Sequence, residues 1–179
     1  AHRTPSTPPL TTGPLLLVDR PGSVQSSLRV ALPALPRGHA DYAAFQLANL
    51  IFGGYFSSRL VENIREDKGY TYSPHSGVDH SAAGSLTLVS ADVATEVTAP
   101  ALLEIQYELG RMATLPPTAE ELEQARQYAI GTLALSISSQ AGLAGMLIAL
   151  AGTGLDLEWL AEHPIRLAKV TLEEVAAAA

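Results

Sequence analysis

The apolar positions along the chain change period several times, and each change predicts an element. Leu15 to Val18 is a short apolar run, read as a strand that Asp19-Arg20-Pro21-Gly22 stops. From Gln25 to Leu32 the residues alternate: Leu28, Val30 and Leu32 fall on one side, Ser27, Arg29 and Ala31 on the other. A period of two marks a strand with one buried face. Pro33 and Pro36 end it. Ala44, Leu47, Ala48 and Ile51 then recur at helical spacing behind Asp41, a residue type that caps helix N-termini. This helix is apolar on nearly every side and is expected deep in the fold. Gly53-Gly54 is expected to stop it, through the left-handed conformation that glycine accepts. Ser57 or Ser58 is placed to cap a second helix through Leu60, Val61 and Ile64, which Gly69 ends.

Tyr70 to Val78 reads as a further strand, irregular or at an edge because of Pro74. Ala82-Ala83-Gly84 is a turn, and Ser85 to Ala91 is a strand with Leu86 and Leu88 on one face. Together 70–91 reads as an antiparallel hairpin with a long loop. Beyond it the pattern is helical. One helix runs from Ala94 to Arg111, with Pro100 tolerable in its first turn. Pro116-Pro117 separates it from the next, which opens on the capping box Thr118–Glu121 and shows Leu122, Ala125, Ala129 and Leu133 as one stripe. Gln140 to Ala151 is a third, and Asp156 to Glu162 a short turn of helix. A second capping box, Thr171–Glu174, opens a last helix that the chain end cuts off. This order predicts an α+β domain, an antiparallel-rich β-sheet covered mainly on one face by helices. Residues 1–13, rich in Pro, Thr and Ser, read as a linker, leaving 14–179 as a single domain.

Composition narrows the chemistry. A chain of 179 residues fits one domain, and 47% hydrophobic against 16% charged residues is globular rather than disordered. The net charge of -7 argues against nucleic acid or an anionic membrane as a partner. With no cysteine, disulfides, thiol nucleophiles and cysteine-ligated metals are excluded from the chain. That absence says little about compartment, with the cytoplasm slightly favoured. No apolar run is long enough to span a bilayer, and the start AHRTPSTPPL lacks a signal-peptide core. The expectation is a piece excised from a longer protein. His2, His39, His75, His80 and His163 form no His-x-x-Glu-His or His-Glu-x-x-His arrangement. His75 and His80 read as surface histidines. No Gly-x-Ser-x-Gly elbow or phosphate loop is present. The motifs predict a domain without an active site or cofactor of its own.

The informative stretch is residues 49–79, NLIFGGYFSSRLVENIREDKGYTYSPHSGVD, where Arg59, Arg65 and Lys68 sit among apolar residues of an acidic chain. Arg65 falls near the end of a short helix, where the plain role is a surface ion pair with Glu62 or Glu66, worth at most about 1 kcal/mol. Tyr70 and Tyr72 are two apart and share one face of the predicted strand, with Thr71 on the other. Tyrosines on a sheet are most often packing. The functional reading is an Arg–Tyr pair facing a cleft, the guanidinium donating to a peptide carbonyl and the phenol to a developing oxyanion.

Several blocks in order, VDRPGSVQSSLRV, LANLIFGGYFSSRL, NIREDKGYTYSPHSG, PPTAEELEQAR and VTLEEV, resemble the M16 metallopeptidases, the pitrilysin/insulinase and mitochondrial-processing-peptidase group. The resemblance runs from about Leu15 to the chain end. It implies two homologous domains facing each other like a clamshell around a peptide. One carries His-x-x-Glu-His and a distal glutamate for zinc; the other lacks them and contributes an arginine and a tyrosine. This chain lacks the zinc motif and has Arg65 with Tyr72 seven later, at the spacing of that pair, so it resembles the non-zinc half. On that resemblance Arg65 and Tyr72 are auxiliary catalytic residues that touch substrate and transition state, and Tyr70 has no such role. Zinc is expected in a partner catalytic domain, in the same polypeptide or a separate subunit, with a peptide as substrate. Gly53-Gly54 and Ser57-Ser58-Arg59-Leu60 are expected to hold the helix that delivers Arg65. The family's domain continues past the last helix with another strand, so a C-terminally truncated or disordered end is expected. The resemblance equally covers M16-like scaffold subunits without chemistry. It leaves cleavage specificity and oligomeric state, a homo-oligomer included, open.

Overall fold

The computed structural model describes Gly13 and residues 15–179; the linker read at 1–13 lies, apart from Gly13, outside the described residues. One antiparallel sheet is formed by β1 (Gln25–Pro33), β2 (His75–Ser81) and β3 (Gly84–Ala94), in the order β1-β3-β2. Leu28 pairs with Ala91 and Val30 with Val89, so the apolar side of β1 continues into Val89, Ala91 and Val93. That face meets the helices. The other face carries Arg29, whose guanidinium lies 3.1 Å from Asp92. Leu86 and Leu88 do share a face, but it is this half-exposed outer one. The hairpin turn is only Ala82-Ala83, with Ser81 paired to Gly84, because β2 runs on through Asp79-His80-Ser81. The loop is therefore short, not long.

The helices are α1 (Tyr42–Asn49), α2 (Arg59–Val61), α3 (Thr98–Thr114), α4 (Ala119–Ser136), α5 (Gln140–Gly152), α6 (Leu157–Lys169) and α7 (Leu172–Ala178). Two run on as π-helical turns, α1 through Leu50–Gly54 and α2 through Glu62–Asp67. As its all-round apolarity predicts, α1 lies in the centre, with Tyr42, Ala43, Ala44, Leu47 and Ala48 buried. It packs against α4, α6 and α7. Leu47, Ile51, Leu60, Ile64, Val89, Val93 and Ile105 form the heart of the core. Each such side chain contributes roughly 1.5–3 kcal/mol through burial. Both capping boxes are formed. Asp41 and Ser58 stand at N-cap positions, but neither side chain makes the capping bond.

Four other expectations fail. Leu15 to Val18 forms no strand, and its four side chains are between 72% and 84% exposed. Residues 70–74 are not strand either. Pro74 has no N–H to give β3, and the ladder begins at His75. α6 passes through Pro164 to Lys169 instead of ending at Glu162. Its face of Trp159, Leu160, His163 and Leu167 is buried, and that burial offsets the roughly 3 kcal/mol of an internal proline. Finally, neither Gly53 nor Gly54 is left-handed. Their need is space: a Cβ on Gly53 would stand 3.0 Å from Leu60 Cδ2 and from Ser76 Cβ. Gly69 does close the second helix with φ +64°.

A smaller core under α5 and α6 holds two histidines that composition reading leaves unexplained. His163 is buried, stacks on Trp159 at 4.4 Å and donates from Nε2 to Gln46 Oε1 at 2.7 Å. His80 is half-buried rather than on the surface, 3.1 Å from the Tyr42 hydroxyl and 2.8 Å from Ser85 Oγ. Burial first, then nearby Arg166 and Arg37 for His163 and Arg37 for His80, lowers each imidazole to about 4. The unfolded chain binds these protons near pH 6.5, so the folded state binds fewer between pH 6.5 and 4. Stability is complete above pH 6.5 and falls as pH drops towards 4, by up to about 3 kcal/mol for the buried His163. Urea unfolding at pH 7.5 and 5 measures this fall, and His163→Phe is expected to remove much of it.

Candidate functional site

The two residues singled out by sequence meet at the surface beside the Leu50–Ser58 turn. Arg65 Cζ lies 4.7 Å from the centre of the Tyr72 ring. It lies 4.7 Å from the Phe56 ring as well, so two aromatic rings flank one guanidinium. Both rings are open to solvent, Tyr72 at 81% and Phe56 at 63%. Arg65 Nε also stands 3.0 Å from Glu66 Oε1. The plain ion-pair role thus coexists with the pair, and at the surface it contributes about 1 kcal/mol or less.

Each flank of this stack is fixed from below. Tyr70 N–H donates to the carbonyl of Ile64 at 2.9 Å and Gly69 N–H to that of Arg65 at 3.1 Å, which folds the chain back beside the helix end. Thr71 is buried and donates its hydroxyl to the Asp92 carbonyl at 2.6 Å, in place of a ladder bond. With Thr71 turned inward, Tyr72 is turned out. Tyr70 is half-buried against the core, so the two tyrosines do not share an environment as strand spacing predicted. On the other flank, Tyr55 stacks on Tyr128 at 5.1 Å, which leaves Phe56 facing outward.

The helix carrying Arg65 is held at both ends. Arg59, 5% exposed, donates from Nε to Glu121 Oε1 at 2.6 Å and from Nη2 to Oε2 at 2.9 Å. Its Nη1 also donates to the Leu115 carbonyl at 3.1 Å. The same Glu121 closes the capping box with Thr118 N–H at 2.7 Å. Hydrogen bonds from Arg59 first, then from the Thr118 amide, hold its carboxyl below the ordinary range. Nearer Arg65, Asn63 Nδ2 donates to Glu108 at 2.7 Å and to Glu104 at 3.0 Å. Glu108 is fully buried on α3 and also accepts from Arg111. This network pins the Glu62–Asp67 turn to α3. Sequence reading anticipated the structural role of the Ser57–Leu60 block but not its partner on α4, and it missed Phe56 and the Asn63–Glu108 contact. A Glu at the third position of a capping box, sixty residues from a buried arginine, carries no local signal of that pairing.

The described residues do not fit a metal. His75 lies on the outer sheet face and His80 on the inner one. Among the described residues no group of three or more His, Cys, Asp or Glu is placed to hold a metal ion. Among them, too, no single helix is long and apolar enough to cross a membrane.

Comparisons with known proteins bear on the family and the fold. A crystal structure of a peptidase M16 inactive domain from Pseudomonas fluorescens is 31% identical, with a TM-score of 0.78 over 87% of this chain and 37% of that one. An inactive peptidase domain from Bordetella parapertussis is 18% identical and superposes with a TM-score of 0.76 over 91% of this chain and 88% of that chain, a likeness of fold. An uncharacterized zinc protease of Bacillus subtilis, YmxG, is 32% identical over 117 residues, which are 64% of this chain and 28% of that protein. The chain thus spans little more than a third of the Pseudomonas chain, and less of YmxG. The family model described as the peptidase M16 inactive domain matches residues 1–128. With the fold and this match in hand, the chain belongs to the M16 peptidase family, as the domain type described as inactive.

Proposed function

We propose that this domain is the non-zinc half of a clamshell zinc metallopeptidase, in which residues 14–179 act as one unit that helps bind a peptide and stabilise its tetrahedral intermediate. The observation that supports this reading is the Arg65–Tyr72 stack, with the tyrosine almost fully exposed. An exposed phenol beside a guanidinium presents two hydrogen-bond donors to whatever docks there. The partner half, carrying His-x-x-Glu-His in the same polypeptide or another subunit, would hold the zinc that activates water for attack on the peptide. This chain's residues act from the opposite wall. The Arg65 guanidinium donates to the carbonyl of the extended peptide, and the Tyr72 hydroxyl donates to the same oxygen as it gains negative charge. Donors placed in advance at a developing oxyanion lower the barrier without reorganising. Closure of the two halves removes water and strengthens both contacts.

Zinc and activity are separable on this reading. When this domain is deleted from the parent protein, or its subunit left out, zinc is expected to stay bound while cleavage of an unstructured peptide is lost. Cleavage that survives without the domain sinks the proposal. An intact parent with neither zinc nor cleavage would instead be a scaffold.

A further inference from the structure

The aromatic ring on the far side of Arg65 has no place in that mechanism. Phe56 follows the buried Gly53 and the Tyr55–Tyr128 stack, and it precedes the buried Ser58 and Arg59. Its backbone is therefore fixed on both sides. Its ring nevertheless points to solvent, at the same 4.7 Å from the Arg65 guanidinium as the Tyr72 ring. Only three phenylalanines occur in the chain, and leaving one 63% exposed serves no core. A long arginine side chain is rotationally free at a surface, and a planar cation between two π-faces loses that freedom. With both rings 4.7 Å from its Cζ and its Nε beside Glu66, its terminal Nη groups make no hydrogen bond among the described residues.

We infer that Phe56 is a positioning residue for the peptide reaction: its ring holds the plane of the Arg65 guanidinium so that the Nη edge faces the substrate carbonyl. The inference rests on the proposed role of Arg65 and Tyr72. A residue acting this way changes the alignment of the donor more than the affinity for the peptide. Its loss is felt in kcat and only weakly in KM.

The test uses the whole protein with its zinc-bearing half and an unstructured fluorogenic peptide. Phe56→Ala is expected to lower kcat by up to about fivefold, the upper end for a surface cation–π contact, with KM nearly unchanged. Because the ring is exposed, the melting temperature is expected to stay unchanged. Phe56→Tyr keeps a π-face and restores kcat, whereas Phe56→Leu keeps apolar bulk without one and behaves as the alanine variant. In an Arg65→Ala background, Phe56→Ala adds less than about twofold, since the residue works only through the arginine. If Phe56→Ala or Phe56→Leu turns over like the wild type while Arg65→Ala is slow, the inference is wrong and the role of Arg65 stands. If Arg65→Ala and Tyr72→Phe are also as fast as wild type, the underlying reading falls and takes the inference with it.

Discussion

On the proposed function, Arg65→Ala is expected to lower kcat/KM of the parent protein on an unstructured peptide by about a hundredfold or more, the usual loss when a preorganised donor to an oxyanion is removed. Stability should hardly move. Arg65 is partly buried but its partner Glu66 is open to solvent, and ion pairs at the surface contribute about 1 kcal/mol or less. Arg65→Lys is expected to recover little. An ammonium is a point charge without the flat fork, and it stacks less well between Phe56 and Tyr72. Steady-state kinetics beside thermal melts separate the two effects. A variant that loses activity only as far as it loses fold would contradict the assignment.

Arg59→Ala, six residues earlier, is expected to behave in the opposite way. Arg59 is buried, forks onto Glu121 and also donates to a backbone carbonyl in the loop between α3 and α4. Removing one partner of a buried pair typically costs about 3–5 kcal/mol. Here the lower end is expected, since Glu121 is partly exposed and keeps its bond to the Thr118 amide. Arg59→Lys is expected to restore less than half, because one ammonium cannot meet both carboxylate oxygens and the carbonyl. The Glu121 carboxyl is held below its ordinary value, so the pair contributes fully at neutral pH and is lost as pH falls into the acid range. Urea unfolding of the two variants at pH 7 measures the loss. Activity should then fall only through the population of folded protein, unlike that of Arg65→Ala. Together the variants separate a residue that builds the platform from one that stands on it.

What the sequence disclosed follows from which signals are local. Capping boxes at Thr118 and Thr171 announce helices because the partners are three residues apart, and both form as read. The alternation of Leu28, Val30 and Leu32 likewise depends on nothing distant. The Arg65–Tyr72 pairing was legible through family resemblance and not through strand spacing. Period-two logic put Tyr70 and Tyr72 on one face, but Pro74 breaks the ladder and Thr71 bonds to Asp92, so the period ends there. The glycines at 53 and 54 were located correctly as a special point, but the reason is space: Leu60 and Ser76 crowd a Cβ on Gly53, and Leu50 crowds one on Gly54. Helix α6 was read only as far as Glu162 because the apolar face that carries it past Pro164, from Trp159 to Leu167, is spread over nine residues. Phe56 and the Asn63–Glu108 contact depend on what lies across a turn or a neighbouring helix, and no short pattern encodes either.

The central claim is that a tyrosine of this domain meets the substrate across the cleft from the zinc. The measurement that tests it most directly compares kcat/KM of the parent protein for wild type, Tyr72→Phe and Tyr70→Phe, with zinc content recorded for each. Both changes remove one hydroxyl; Tyr70 packs against the core, while Tyr72 stands exposed on Arg65. The account predicts a loss of about a hundredfold or more in Tyr72→Phe alone, with zinc retained in all three. Equal activity in the three proteins, at equal zinc, would contradict it and leave this domain as a wall of the chamber.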